Sequence, residues 1–250
     1  MKIVFHSKFT HSYTHDPAAA PGRIESILAA LEGKFSMIEP DPAEEGDLVL
    51  VHSRNHLERV KIEPAVYEIA KLAAGGAIAA ASRACQGEPA FALIRPPGHH
   101  ASPDSCWGFC YFNNVAIAIK KLIEDKEIEK AFILDFDLHY GDGTENVFRG
   151  NSAVAYHHPE GKGRTDLMEG IVGLLQKVEG FDILAVSAGF DRHEKDWGGS
   201  LTTQDYRTIG QHVRETATRV CEGRRFGVLE GGYNHEVLGL NVRAFVEGMA

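Results

Sequence analysis

Residues 131–143 combine the side chains best suited to chemistry in this 250-residue chain. An apolar, β-prone run ends there in Asp135, Asp137 and His139, which lie two positions apart. Side chains alternate between the two faces of a strand, so these three are expected to point to the same side. Two carboxylates and an imidazole without cysteine suit a borderline divalent cation in a catalytic site more than a closed structural site. Glycines on both sides of Asp142 let the backbone turn and bring this carboxylate back towards the same group.

Polar clusters also follow other apolar runs of the chain. His99 and His100 come after the run 91–94, and Asp191 comes after the run 183–187. Further clusters of this kind are His157-His158 and Glu230-Gly231-Gly232-Tyr233. In an open α/β sheet the carboxyl ends of parallel strands lie along one edge, where ligands bind. The sequence therefore predicts that several strands deliver polar groups to a common site.

Strand and helix patterns alternate along the whole chain. Strands are predicted at residues 2–5, 47–51, 91–94, 131–136, 153–156, 183–187 and 226–229. Helices are predicted at residues 24–31, 65–85, 113–123, 167–178, 203–220 and from 235 to the end. This alternation is typical of an α/β protein with a three-layer αβα architecture and a mostly parallel central sheet. No linker or repeat divides the chain, so we expect residues 1–250 to form a single domain.

The composition excludes several broad classes of protein. The formal net charge is -9, whereas a general nucleic-acid binder needs a basic face, so we expect no nucleic-acid partner. No apolar run approaches the roughly 20 residues of a membrane span, and the amino terminus carries no signal-peptide pattern. The four cysteines do not form a disulfide framework in a chain of this size. These observations together predict a cytoplasmic protein with reduced cysteines.

Five motifs occur in a fixed order between residues 95 and 234. They are Arg95-Pro-Pro-Gly-His-His-Ala101, Gly108-Phe-Cys-Tyr-Phe-Asn-Asn114, Asp135-Phe-Asp-Leu-His-Tyr-Gly-Asp-Gly143, Ser187-Ala-Gly-Phe-Asp191 and Glu230-Gly-Gly-Tyr233. This series resembles the motifs of the zinc-dependent histone deacetylases. The same superfamily includes the acetylpolyamine amidohydrolases and the acetoin-utilisation proteins. The first and fourth motifs are closer in sequence to its class II-like and bacterial members than to class I. The resemblance implies an arginase/deacetylase-like fold.

The resemblance also implies a catalytic centre with one zinc ion per chain, held by Asp137, His139 and Asp191. Three protein ligands leave coordination positions for water and a substrate carbonyl, as a hydrolytic zinc site requires. By similarity, His100 is the general base and then the acid that protonates the leaving amine. His99 is implied to act mainly through its charge and hydrogen bonds.

Supporting residues match the family's pattern as well. The resemblance pairs Asp135 with His99 and Asp142 with His100, and each carboxylate would fix the tautomer and orientation of its imidazole. Tyr233 matches the tyrosine whose hydroxyl donates to the developing oxyanion. Asp135 lies near the end of the predicted strand 131–136, and the other positions follow predicted strands, as the sheet-edge prediction requires.

Three positions match substrate-binding residues of the family. Gly108 and Phe109 correspond to one wall of the acyl-lysine tunnel. Arg23 corresponds to an arginine near the base of the pocket. The structural alternatives are core packing for Phe109 and an exposed ion pair for Arg23.

The chain departs from the family's pattern at a second cation site and at the pocket rim. Relatives often hold a potassium ion through Asp135, Asp137, His139 and oxygens of the next strand, where Ala155 here replaces a serine that contributes its hydroxyl. The long loop that supplies a second aromatic wall in relatives is missing. Residue 198, where relatives carry a rim residue that selects substrates, is Gly. We therefore expect a more open site.

The favoured function is a zinc-dependent amidohydrolase that removes an acetyl or other acyl group from acyl-lysine or a related acylated amine. Its substrate would be an acylated peptide, a protein or a small amine, and the sequence leaves the oligomeric state open. One alternative is a binuclear manganese ureohydrolase of the arginase kind, which needs an Asp where this chain has His193. The other is a non-catalytic module that binds acylated amines, which does not explain the complete set of ligands, histidines and Tyr233.

Overall fold

The centre of the computed structural model, which describes all 250 residues, is a single sheet of seven strands. The strands are β1 (Lys2–Val4), β2 (Ser36–Ile38), β3 (Ala90–Ala92), β4 (Ala131–Asp135), β5 (Val154–His157), β6 (Ile183–Ala188) and β7 (Arg225–Leu229). Their order across the sheet is β2-β1-β3-β7-β6-β4-β5, and every neighbouring pair is parallel. The predicted parallel sheet is confirmed, and it contains no antiparallel strand.

Helices cover both faces of this sheet. They are α1 (Arg23–Leu31), α2 (Glu45–Leu48), α3 (Arg54–Lys61), α4 (Pro64–Cys85), α5 (Asn114–Glu124), α6 (Asp142–Phe148), α7 (Arg164–Gln176), α8 (Thr203–Val220) and α9 (His235–Met249). α4 packs on α5 on one face, while α1 and α8 pack on α9 on the other. A hydrophobic cluster of 66 buried residues joins the layers, which confirms the predicted αβα architecture. None of these helices has both the length and the apolar character that crossing a membrane would require.

The predicted strand at residues 47–51 is wrong. Asp47 and Leu48 are the last two residues of α2, and residues 49–51 form turns. The start of α2 is stabilised by a capping box in which the Asp47 carboxylate accepts the Glu44 N–H. A short apolar run does not distinguish a strand from a helical turn, and here the local cap decides between them. The sequence also failed to predict β2, an edge strand of only three residues, which is too short to show a strand periodicity.

The strand order brings together the polar residues that follow the strands. β3, β7, β6 and β4 are consecutive neighbours in the sheet, and all four run in the same direction. Their carboxyl ends therefore lie side by side, although the segments that follow them are far apart in sequence. Those segments carry His99, Tyr233, Asp191 and Asp137, respectively.

Two helix glycines provide a matched test of the packing between layers. A Cβ atom on Gly75 of α4 would clash with the Asp41 carbonyl oxygen and would lie 2.7 Å from Ala43 N. Gly75→Ala is therefore expected to lower the free energy of unfolding by about 1–3 kcal/mol. A Cβ atom on Gly173 of α7 would have no neighbour within 4 Å, so Gly173→Ala should raise it by about 0.5–1 kcal/mol. Urea denaturation measures both changes, and changes of the same sign would contradict this packing.

Candidate functional site

Asp137, His139 and Asp191 meet at the carboxyl edge of the sheet. One ligand atom from each residue lies within 4.8 Å of the other two. His139 Nδ1 lies 3.3 Å from Asp137 Oδ1 and 3.2 Å from Asp191 Oδ2. Both carboxylates are buried, whereas the His139 side chain is 39% exposed. The three groups thus form a pocket for a cation that opens on one side.

The route by which these side chains converge differs from the predicted one. β4 ends at Asp135, so strand alternation does not extend to Asp137 and His139. Instead, Asp137 N donates to Asp135 Oδ1 at 3.0 Å, and His139 N donates to Asp137 Oδ1 at 2.9 Å. Leu138 N donates to Asp191 Oδ1 at 3.0 Å, which ties this bend to the loop after β6. Side-chain to backbone hydrogen bonds therefore shape the cluster.

The cluster fits a divalent metal ion. Asp191 Oδ2 is buried and makes no hydrogen bond. Burial and the neighbouring Asp137 carboxylate raise the pKa of Asp191, because two negative charges in a poorly solvated place repel each other. A bound cation would remove this repulsion and use the free oxygen. Two carboxylate oxygens and one imidazole nitrogen are a donor set that zinc accepts in catalytic sites.

Two histidine–carboxylate pairs lie next to this cluster. His99 Nδ1 is 3.0 Å from Asp135 Oδ2, and His100 Nδ1 is 2.7 Å from Asp142 Oδ1. The two imidazole rings are neighbours, with centroids 4.1 Å apart. Each carboxylate occupies an Nδ1 atom, which leaves the Nε2 of His100 for reacting groups, whereas the Nε2 of His99 faces Asp137 Oδ1 at 3.8 Å. The structure thus brings together both pairs that the sequence predicted.

The two imidazoles differ in their electrostatic surroundings. Burial disfavours a charged His99, but the Asp137 and Asp135 carboxylates outweigh it and hold its pKa well above the ordinary value. Burial and the neighbouring His99 lower the pKa of His100 to about 4. At neutral pH His100 is therefore neutral and able to accept a proton, whereas the two carboxylates favour the charged form of His99.

Glu230 fixes the turn that carries both histidines, a role the sequence did not predict. Its Oε2 accepts Gly98 N at 2.7 Å and His99 N at 3.2 Å, and its Oε1 accepts Ser187 Oγ at 3.2 Å. Burial raises the pKa of Glu230 to about 7. His99, Cys110 and Glu230 also lie within ligand distance of one another. Because both Glu230 oxygens already have partners, this second group is poorly suited to a metal.

Tyr233 lies on a loop held by two charged residues. Asp196 Oδ2 accepts both Tyr233 N and Asn234 N at 2.8 Å. Arg23 is fully buried, and its Nε donates to Gly232 O at 2.8 Å. The guanidinium carbon of Arg23 lies 5.4 Å from the centroid of the Tyr233 ring. An exposed ion pair is therefore the wrong interpretation of Arg23, which supports the tyrosine loop from below.

Aromatic residues wall a cavity of about 130 Å³ above the cluster. Trp107, Phe109 and Trp197 all line it, together with Tyr233. Trp197 stacks on Tyr233 with ring centroids 4.1 Å apart, and Phe109 meets Tyr233 edge-on at 6.0 Å. The loop that supplies a second aromatic wall in relatives is expected to be missing, and in this chain the loop after β6 supplies Trp197, next to Gly198, to the cavity. Core packing is the wrong interpretation of Phe109.

Trp107 also contacts the neighbouring pair of His100 and Asp142. The indole lies against His100, with ring centroids 3.8 Å apart, and its Nε1 donates to both Asp142 oxygens at 3.1 and 3.0 Å. Gly108 has φ +60°, and a Cβ there would clash with the His100 ring. A glycine is thus required at this point of the wall.

The potassium ion that the resemblance implies does not fit the residues around Asp135. Asp135 Oδ1 already accepts Asp137 N, and Asp135 Oδ2 lies 3.0 Å from His99 Nδ1. Tyr156 Oη donates to the same Oδ2 at 2.9 Å and accepts the backbone N–H of Gly141 at 3.0 Å. Both carboxylate oxygens are therefore occupied by donors of the chain, and the tyrosine had no assigned role in the sequence.

Comparisons with known proteins agree with this arrangement. Residues 17–162 and 164–249 match the family model of the histone deacetylase domain. Over 99% of its length the chain is 30% identical to a probable deacetylase of Methanothermobacter thermautotrophicus, of which it covers 90%. It is 31% identical, over 85% of its length, to a histone deacetylase-like amidohydrolase of Pseudomonas aeruginosa, of which it covers 70%. The crystal structure of the HDA15 HD domain has the same fold, with a TM-score of 0.86 at 23% identity over 98% of this chain and 88% of that one.

Replacing Tyr156 tests the hydrogen bonds behind Asp135. Tyr156→Phe should lower the free energy of unfolding by about 1–3 kcal/mol, because the buried Gly141 N–H loses its acceptor. Tyr140→Phe is the control, since this neighbouring tyrosine is 46% exposed. Chemical denaturation of both variants measures the difference. Equal stability of the two variants would contradict the assigned contacts.

Proposed function

This chain belongs to the histone deacetylase family, and on that basis we propose that it is a zinc-dependent amidohydrolase that removes an acyl group from an acylated amine. The observation that carries the proposal is the meeting of Asp137, His139 and Asp191 beside two imidazoles in one aromatic-walled cavity. Zinc bound to these three residues would supply a Lewis acid for the scissile carbonyl and for water.

His100 is the proposed proton carrier of the reaction. It is neutral at neutral pH, and Asp142 holds its Nδ1, so its Nε2 can take a proton from the attacking water. The imidazolium that forms is stabilised by Asp142 and can pass the proton to the departing amine. Asp142 also receives the Trp107 N–H, which restricts movement of the pair.

His99 and Tyr233 are the proposed electrostatic partners. His99 carries its proton between Asp135 and Asp137, where it offsets part of their negative charge. The Tyr233 hydroxyl would donate a hydrogen bond to the oxygen that becomes negative when water attacks the carbonyl. Asp196 and the Trp197 ring hold the tyrosine in place, so little reorganisation is needed at that moment.

The walls of the cavity favour an acylated alkyl amine as the substrate. Trp107, Phe109 and Trp197 offer apolar faces for a methylene chain, with Gly108 leaving room between them. The names of related proteins are compatible with this class, since one relative, from Mycoplana ramosa, is an acetylpolyamine amidohydrolase that is 31% identical over 76% of this chain. Acyl-lysine and small acylated amines are both proposed substrates.

The binuclear alternative lacks ligands for a second metal. His193 is buried, and its Nδ1 accepts Lys195 N at 3.1 Å. His99 and Glu230 are likewise occupied by hydrogen bonds. A non-catalytic binding module would have no use for the paired imidazoles and Tyr233. Neither alternative has an observation in its favour.

Metal removal tests the proposal directly. A chelator is expected to abolish hydrolysis, and one zinc per chain should restore it, because three ligands converge on a single position. The measurement combines metal analysis with a panel of acetyl-, longer-acyl- and trifluoroacetyl-lysine peptides and acetylated polyamines. Zinc-loaded protein that is inert on the whole panel would refute the proposal, and two manganese ions per chain would favour a ureohydrolase.

Two substitutions separate catalysis from metal binding. His100→Ala should lower kcat by about 10²- to 10⁴-fold because the proton carrier is lost. Tyr233→Phe should lower it by about 10²- to 10³-fold because the oxyanion loses a donor. Both variants should retain one zinc per chain, and His212→Ala on α8 is a control with unchanged turnover. Near wild-type turnover in either site variant would exclude the role given to that residue.

A further inference from the structure

Arg192 directly follows Asp191, and its side chain is buried against the loop that carries Asp137 and His139. The residue is 8% exposed. Its Nε donates to the carbonyl oxygens of Phe136 and Asp137 at 3.1 and 2.9 Å, respectively. Its Nη2 donates to Pro159 O at 3.3 Å. The guanidinium therefore lies in a cradle of three backbone carbonyls that come from the loops after β4 and β5.

This environment is unusual for a buried charge. The guanidinium donates to carbonyl oxygens, its Nη2 also lies 3.2 Å from His158 Nε2, and it pairs with no carboxylate. An arginine side chain stays protonated, so the cradle holds a permanent positive charge. Backbone carbonyls with their partial negative charges are also the ligands that replace the hydration shell of a potassium ion. In chemical terms, Arg192 occupies a site suited to a monovalent cation.

The neighbouring oxygens are closed to a second cation. Asp137 O accepts His158 Nε2 at 2.9 Å in addition to Arg192 Nε. A potassium ion on that carbonyl would lie close to the guanidinium, and two positive charges at such a distance repel each other. Ala155 offers no side-chain oxygen, and Tyr156 already donates to Asp135. The residues of this chain therefore do not fit the potassium ion of its relatives.

We propose that Arg192 is a positioning residue, a built-in cation that joins the loop of Asp137 and His139 to the loop of Asp191, so that the metal site needs no bound monovalent cation. The guanidinium donates to Asp137 O and so fixes the backbone of one metal ligand. Arg192 also directly follows Asp191, the metal ligand on the other loop. In the opposite direction, Leu138 N donates to Asp191 Oδ1. This inference rests on the zinc site of the proposed function.

The first experiment compares two buried arginines. Arg192→Ala should weaken zinc binding by about 10- to 100-fold, as loss of groups that orient metal ligands commonly does. Arg225 is the matched control: it is 5% exposed and donates to Met249 O, Ala250 O and Gly223 O. It begins β7 and so lies at the opposite edge of the sheet. Arg225→Ala should lower the melting temperature with zinc affinity unchanged, and equal zinc affinities in the two variants would overturn the proposal.

The second experiment uses cations and needs no variant for its main result. The melting temperature of the wild-type protein and its zinc affinity should be the same in KCl and in tetramethylammonium chloride of equal ionic strength. In Arg192→Ala, potassium ions or dilute guanidinium ions should restore part of the lost zinc affinity, and tetramethylammonium should not. A merely structural role of Arg192 would produce no such rescue. A wild-type melting temperature that rises specifically with potassium would overturn the proposal.

The outcomes distinguish this inference from the proposed function. A potassium-sensitive wild-type protein that hydrolyses acylated amines would refute the role of Arg192 alone. A protein that binds no zinc would refute the hydrolase proposal, while the comparison of melting temperatures in the two salts would still decide whether Arg192 closes the cation site.

Discussion

The repulsion between two buried carboxylates, Asp137 and Asp191, is the constraint on which the arrangement of the site depends. The backbone N–H groups of Leu138, His139 and Gly231 each donate to one of them, and the His139 imidazole lies between them. Such donors reduce the cost of burying charge but do not neutralise it, whereas a bound cation does. These donors come from loops that follow β4 and β7, and the strand order brings both loops to the β6 loop that carries Asp191.

The same principle separates the roles of two adjacent histidines. His99 faces two buried carboxylates, so its positive charge is stabilised. For His100, burial and the neighbouring His99 outweigh the partly exposed Asp142 carboxylate, so its neutral form is favoured. The two residues are of the same type, and the Nδ1 atom of each is paired with a carboxylate. Their different chemistry follows from burial and from which charges the fold places around each ring.

The sequence predicted the parallel sheet and the residues at its edge because apolar runs ending in polar tips are local signals. It was wrong at 47–51, where the segment ends a short capped helix and continues in turns, and wrong in extending strand alternation to His139. It did not predict the roles of Glu230, Tyr156 or Arg192, whose partners lie between 15 and 132 positions away in the chain. Roles of that kind depend on which loops the fold brings together, and no local pattern encodes them.

The two tryptophans that wall the cavity are also the only tryptophans in the chain. Trp107 lies against His100, and Trp197 lies against Tyr233. Both indoles are roughly half exposed, so their surroundings change when a molecule enters between them. All of the intrinsic indole emission of this protein therefore arises at the mouth of its pocket, and a colourless ligand can be followed there without an attached dye.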